Sequence, residues 1–336
     1  MATTENSALY YEFEHFLKGM ASLTDSGDHF TFNSVSDCWS DEAGFSPVVR
    51  PDGVLAGVQV SPSLSSNNQV DISSGSLNLA GAIVTKSSAT GLTCTRGDVS
   101  NPFIINSITL TSAGAFSVVP GTPGTAFSES RGVAGGAPFI PVGSIELSQV
   151  RLSSSTAGIV LASEIYASPN VHRELANYPV ISSIDFVRER ESVLFPAGVT
   201  FSCAMMCNHT GGVVKGVYAQ YYEPEFVEIG RAADFQPSSN SFSTTSNACY
   251  GGVVGEVSRS LKAGKFRAYL DDGVSDAILT KEGKKIWFKF LPDRYFPDKY
   301  VLTHGFMGVS AKYPAKGSIS ADFTINSVNP GVRITG

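Results

Sequence analysis

The sequence predicts a mainly β chain with a few short helices. Three observations predict it. Over 317–328, Ile319, Ala321, Phe323 and Ile325 alternate strictly with Ser318, Ser320, Asp322, Thr324 and Asn326, the period of a half-buried strand. Turn residues interrupt the apolar runs at short intervals along most of the chain. Helix signals, from apolar spacing or from capping residues, are confined to three short segments.

The first of those segments is 7–22. Leu9, Phe13, Phe16, Leu17 and Met20 fall at i, i+4, i+7, i+8 and i+11, one apolar stripe on a helix. Ser7 suits its N-cap, and Glu14 and Lys18 form an i, i+4 pair on the polar side. Strands are predicted next at 77–84, 104–111, 115–119, 140–152 and 158–167. A helix is predicted over 170–178, between Asn170 as N-cap and Pro179 as stop. Strands follow at 199–206 and 213–222. A third helix is predicted over 252–262, with Val253, Val257 and Leu261 four apart and Gly264 beyond its end. The chain closes with strands at 284–291 (Ile286, Phe288 and Phe290 on one side), 300–313 (Val301, Met307, Val309 and Ala311) and 317–328. The stretch 168–180 makes the best internal boundary. The expected division is an acidic N-terminal arm with an amphipathic helix (1–52), a first β-rich domain (53–170) and a second with short helices (171–336).

Composition narrows the class. Of 336 residues, 16% are charged and 42% hydrophobic, the balance of a folded chain. Gly (33) and Pro (17) recur with no fixed period, which excludes a collagen-like architecture. A net charge of −6 excludes a chain that grips nucleic acid by its overall charge. The N-terminus shows no basic region followed by an apolar run, so no secretory signal is expected. No run approaches the ~20 apolar residues of a membrane span. Five cysteines (Cys38, Cys94, Cys203, Cys207, Cys249) are odd and sparse, which points to free thiols in a reducing compartment.

Charge is unevenly spread. Residues 1–52 hold nine acids against two bases, and 259–299 hold ten bases against six acids. Two such sections fit complementary contacts between copies or two ordinary solvated faces. Residues 53–163 hold only eight charges, so this part is either a neutral β domain with a Ser/Thr-rich exterior or a surface covered by neighbouring subunits.

No catalytic motif is present. Cys203, Cys207 and His209 would share a face on an extended strand, but zinc wants about four ligands and no second Cys/His pair lies nearby. There is no G-x-S-x-G elbow, no dinucleotide fingerprint and no phosphate loop. Asp271-Asp272-Gly273 reads as a turn, Arg96-Gly97-Asp98 as a chance adhesion tripeptide, and Asn208-His209-Thr210 as a sequon on paper only. Tyr218, Tyr221, Tyr222, Glu223 and Glu225 are the one cluster a carbohydrate site would use; a core or interface strand explains them more simply. No enzyme activity, cofactor or metal is expected.

The stretch Ile140-Pro-Val-Gly-Ser-Ile-Glu-Leu-Ser-Gln-Val-Arg-Leu152 resembles a segment of tail proteins of long-tailed bacteriophages. It follows Pro120-Gly-Thr-Pro-Gly-Thr-Ala-Phe-Ser-Glu-Ser-Arg-Gly132 and Gly135-Gly-Ala-Pro-Phe139. The closing stretch Gly317-Ser-Ile-Ser-Ala-Asp-Phe-Thr-Ile-Asn-Ser-Val328 resembles the last strand of a major tail tube protein of the non-contractile (siphovirus) type. The resemblance implies a β-sandwich or partial barrel with a flanking helix. It implies a structural virion protein whose hexameric rings stack into the tube that conducts DNA during ejection. The implied partners are further copies of the chain and the tape-measure and tail-terminator or tip proteins, with transient passage of DNA without specific binding and no membrane. Assembly would take place in the host bacterial cytoplasm. The expected inter-subunit contacts are Leu9, Phe13, Phe16, Leu17 and Met20, with loops of the first half. A tail fibre, baseplate or decoration protein is the alternative, and a carbohydrate-binding β-sandwich a third reading.

Overall fold

A computed structural model describes residues 6–34, 39–40, 42, 47–64, 66–185, 188–190, 193–195, 198–250 and 252–335. Strands dominate, as expected, and they form several sheets. Among the described residues there is no α-helix, only three-to-five-residue 3₁₀ turns at Ala162–Glu164, Thr210–Gly212 and Ala277–Lys281. Among the described residues, no helix is therefore long and apolar enough to cross a membrane. The three predicted helices are absent, each for a separate reason.

Segment 7–22 is the strand Ala8–Ser22. It lies within a nine-stranded antiparallel sheet, between Val217–Glu228 and Lys285–Leu291. Its pairing slips between Glu12 and Glu14 and again between Lys18 and Ala21. Each slip inserts a residue and moves the next stretch of strand to the other face. Two such bulges in fifteen residues turn a period of two into a spacing that mimics 3.6.

Segment 170–178 is a run of turns. Asn170, the expected N-cap, has φ +55°. The backbone beyond it is spent on neighbouring strands: Glu174 N–H donates to Glu146 O (2.9 Å), and Ala176 N–H to Val54 O (3.0 Å). Segment 252–262 is the strand Gly252–Lys262. A spacing of four puts residues on one face of a strand as well as of a helix, so Val253, Val257 and Leu261 could not distinguish them.

The large sheet runs in the order Ala232–Gln236, Gly264–Tyr269, Ser320–Asn326, Lys299–Lys312, Lys285–Leu291, Ala8–Ser22, Val217–Glu228 and Val48–Pro51; Val332–Thr335 also pairs with Lys299–Lys312. The sheet curls. Its first strand comes back to the start of Ala8–Ser22, where Phe235 stacks on Phe290 (centroids 5.0 Å apart). The curl encloses a core of Leu9, Tyr11, Phe266, Ile286, Phe288 and Phe323. The predicted strand 284–291 alternates as read, with Ile286 and Phe288 inside and Trp287 on the opposite face beside Leu302 and Tyr300.

The chain leaves this sheet at Pro51 and re-enters at Val217, and these two residues are ladder partners. Between them, small sheets enclose a second core that includes Val54, Leu77, Ile104, Ile108, Leu147 and Val150. Ile104–Leu110 lies between Phe116–Pro120 and Ile145–Leu152 and is buried throughout. The predicted strand 77–84 is a hairpin: Ala80 (φ +51°) and Gly81 (φ +78°) form the two-residue turn with both φ positive that such hairpins favour. Of 158–167, only Ile165–Tyr166 is a strand. A third core, with Phe32, Trp39, Val199, Phe201 and Tyr221, lies under the sheet Thr24–Asp25, Thr31–Asn33, Gly198–Phe201 and Ile181–Asp185.

Candidate assembly surface

The least covered part of the chain is one hairpin. Ser239–Cys249 pairs with Gly252–Lys262 over eleven residues without a register break. At ~3.3 Å per residue the ribbon is about 35 Å long. It grows from the paired strands Ala232–Gln236 and Gly264–Tyr269 and, among the described residues, joins no other strand. Residues 242–246 and 255–260 are all exposed. Opposed residues of an antiparallel pair share a face. One face therefore carries Phe242, Val257 and Leu261, with Arg259 donating from Nε to Asn240 Oδ1 (2.9 Å). The other carries Ser241, Ser243, Thr245, Ser258 and Ser260 with Glu256 and Lys262, the Ser243 and Ser258 hydroxyls 2.6 Å apart. Phe242 is 67% exposed, Val257 is 64% exposed, and Tyr250 at the tip is fully exposed.

A two-stranded ribbon alone in water is marginal, and it offers unpaired N–H and C=O groups along both edges. The ends of the large sheet are better protected. Val48–Pro51 is only four residues long, and Ala232–Gln236 is bent by a bulge with Asp234 at φ +58°.

The five expected contact residues are split by the two bulges. Leu9 is 2% exposed and belongs to the core. Phe13 packs partly on that core, with Lys281 Nζ 5.8 Å from its ring centre. Phe16 (49%) and Leu17 (48%) are exposed, and Met20 is half-buried beside Gly81 of the inserted part. Phe16 and Leu17 alone remain open to a neighbour.

The acidic and basic sections already meet within one copy. Glu42 takes Lys281 (3.0 Å), while Glu12 and Asp52 are buried. Between 53 and 163 the few charges are also engaged internally. Arg131 and Glu146 pair at the core, Arg151 holds Glu129 (2.8 Å), and Asp98 accepts the N–H of Ser100 and Asn101. Arg96 donates to Asn68, Ser154 and Gly158, which ties down the adhesion-like tripeptide. The outside is left with scattered apolar residues such as Leu64, Ile83, Val99 and Val142.

The root of the inserted part holds a buried ionic knot. Lys215 (2% exposed) donates to the carbonyls of Leu175 and Tyr178, each at 2.8 Å. Glu174 accepts Glu146 N–H at 2.6 Å, and its Oε1 has no hydrogen-bond partner. Burial pushes the Glu174 carboxyl up and the Lys215 ammonium down, each opposed by the other's charge. Burial raises Asp52 to about 7 against the hydrogen bond from Ala80 N–H (2.8 Å). Sequence reading missed this knot because its members are spread from 52 to 215. Gly53 makes room for it: a Cβ there would lie 2.5 Å from the Leu175 carbonyl carbon.

The other motifs are structural. The strand ends at Phe201, so Cys203, Cys207 and His209 are not aligned along it. Both ring nitrogens of buried His209 face backbone oxygens, of Ser144 (2.8 Å) and Val213 (3.2 Å). Cys94, Cys203 and Cys207 are unbridged; Cys38 and the Cys249 side chain lie outside the described residues. Asn208 of the sequon is 1% exposed. Tyr221 stacks on Trp39 (5.0 Å) in the core, and Glu223 pairs with Lys18 (3.1 Å). Asp271-Asp272-Gly273 is a turn, fastened by Asp276. Among the described residues, three metal-type donors gather only at Glu12, His15 and Glu42.

The chain matches no protein-family model, no curated protein and no solved structure.

Proposed function

We propose that this chain is a structural subunit of a bacteriophage tail that closes into rings, hexameric by resemblance, which stack into a tube conducting DNA during ejection. The observation that carries the reading is the Ser239–Lys262 ribbon, open on both edges and bearing an uncovered apolar face. Such a ribbon is completed by a neighbour, and the neighbour of a repeating assembly is another copy. The charge-poor exterior of 53–163 supports the same reading, since it suits a surface shared with other subunits. The resemblance of 140–152 and 317–328 to tail tube proteins supplies the kind of assembly.

In such a tube, acids outnumber bases on the inner wall, so DNA phosphates are repelled and the genome slides; a basic wall would hold it by counterion release. The test is light scattering and negative-stain microscopy of the purified full chain, alone and seeded with tail-tip complexes. Rings or tubes of uniform diameter are expected. A monomer at high concentration under both conditions would overturn the proposal.

A further inference from the structure

A polar cluster unrelated to the assembly surface lies where Ser40 and Glu42 meet the Ala8–Ser22 strand. In a regular strand, residues 12 and 15 point to opposite faces. The bulge at Phe13 changes this: Glu12 pairs with Phe226 and His15 with Pro224, two residues of one face. Both side chains therefore project to the same side, where Glu42 meets them. A carboxylate oxygen of each Glu and Nδ1 of His15 lie within 4.8 Å of one another. His15 Nδ1 is 3.7 Å from Glu12 Oε1 and 3.7 Å from Glu42 Oε2. These gaps are too long for hydrogen bonds, and this buried nitrogen has no hydrogen-bond partner. They are close to the ~3.4 Å that separates donors around an ion with bonds of about 2.1 Å.

The surroundings orient the donors. Glu12, with no exposed side-chain surface, accepts Trp287 N–H at Oε2 (3.2 Å) and the Ser40 hydroxyl at Oε1. Tyr222 meets the imidazole edge-on, with centroids 4.8 Å apart. Lys281 Nζ reaches Glu42 at 3.0 and 3.3 Å.

We propose that Glu12, His15 and Glu42 bind one divalent first-row ion of the zinc type, clipping Glu42 to the Ala8–Ser22 strand. An imidazole nitrogen with two carboxylates suits zinc; calcium wants six to eight oxygens and magnesium a cage of oxygen and water. Ser40 and Lys281 then act as outer partners that hold the carboxylates.

The test uses the full-length chain stripped with EDTA and titrated calorimetrically with Zn²⁺, with Mg²⁺ and Ca²⁺ as controls. One equivalent of Zn²⁺ is expected to bind and to raise the unfolding midpoint. His15→Ala and Glu42→Gln are each expected to weaken binding ~100-fold or more, the upper end of what losing even an outer partner costs. Cys207→Ser, which removes an exposed thiol elsewhere, is expected to leave binding unchanged. Substituting Co²⁺ is expected to give a visible absorption band that His15→Ala abolishes. Absence of Zn²⁺ binding by the parent chain, or binding unchanged in both His15→Ala and Glu42→Gln, would overturn the proposal.

Discussion

The root of the inserted part and the Ser239–Lys262 ribbon solve opposite problems. At the root, Asp52, Glu146, Glu174 and Lys215 are withdrawn from water, and the cations that offset the carboxylates, Lys215 and Arg131, come from the same chain. On the ribbon almost nothing is withdrawn: Phe242 and Val257 face solvent, and the backbone edges are unpaired beyond the hairpin itself. The first region is complete in one copy, and disturbing it should damage folding. The second is incomplete in one copy, so disturbing it should spare folding and damage association. The contrast turns a general expectation of self-assembly into a separable pair of measurements.

The largest effect is expected at Lys215. Lys215→Met keeps the bulk of the stem but leaves Glu174 and Asp52 facing no ammonium. Removing one partner of a buried ionic group costs about 3–5 kcal/mol. Urea unfolding at neutral pH checks it; a loss under about 1 kcal/mol would mean that the knot contributes little. Leu9→Ala comes next, at about 2–5 kcal/mol for an emptied core position, whereas Leu17→Ser on the same strand should stay within about 0.5 kcal/mol. Equal losses at the two positions would contradict the bulged strand.

A pH titration sharpens the comparison further. Burial lifts Asp52 to about 7 in the folded chain, from about 3.9 when unfolded. Between those values the folded state holds a proton that the unfolded state has lost. Stability from this group is therefore full below about pH 4 and declines as pH rises toward 7. Glu174 is shifted in the same direction and adds to the slope. Lys215 is shifted downward, so its contribution runs the other way, above neutrality. From pH 5 to pH 7 a loss of about 2 kcal/mol is expected from Asp52 alone. Asp52→Asn should flatten that part of the curve, measured by denaturant midpoints at constant ionic strength.

Much of the fold was legible because the later strands bury one face each. Ile286 and Phe288, and Ala321 and Phe323, sit inside as their alternation requires. What failed was any segment whose alternation is interrupted or shared with another period. Bulges at Phe13 and near Gly19 disguised a central strand as a helix, and a four-residue spacing left 252–262 undecided between the two. At 170–178 the backbone is bonded to Glu146 and Val54, a long-range choice with no local signal. The stripe read as one contact surface was accordingly divided, leaving Phe16 and Leu17 outside. The ionic knot and the Glu12–His15–Glu42 cluster depend on residues brought together from distant parts of the chain, and the ribbon's exposure depends on what the rest of the fold leaves uncovered. No spacing rule could reveal them.

The smallest effect on folding is expected where the effect on association is greatest. Phe242 and Val257 occupy one face of the ribbon, and neither belongs to a core cluster. Replacing both with serine removes apolar surface that a single copy leaves in water, so the unfolding free energy should change by no more than about 0.5 kcal/mol. The serine face opposite serves as an internal control, since Ser241→Ala and Ser260→Ala change little on the side that is already polar. If the apolar face is a contact between copies, the double variant should remain a folded monomer where the parent chain associates, as read by light scattering at matched concentrations. Unchanged association would leave the ribbon's edges, rather than its apolar face, as the surface that neighbours complete. A large loss of stability would show that the ribbon folds back onto its own copy, and the contrast with the root would disappear.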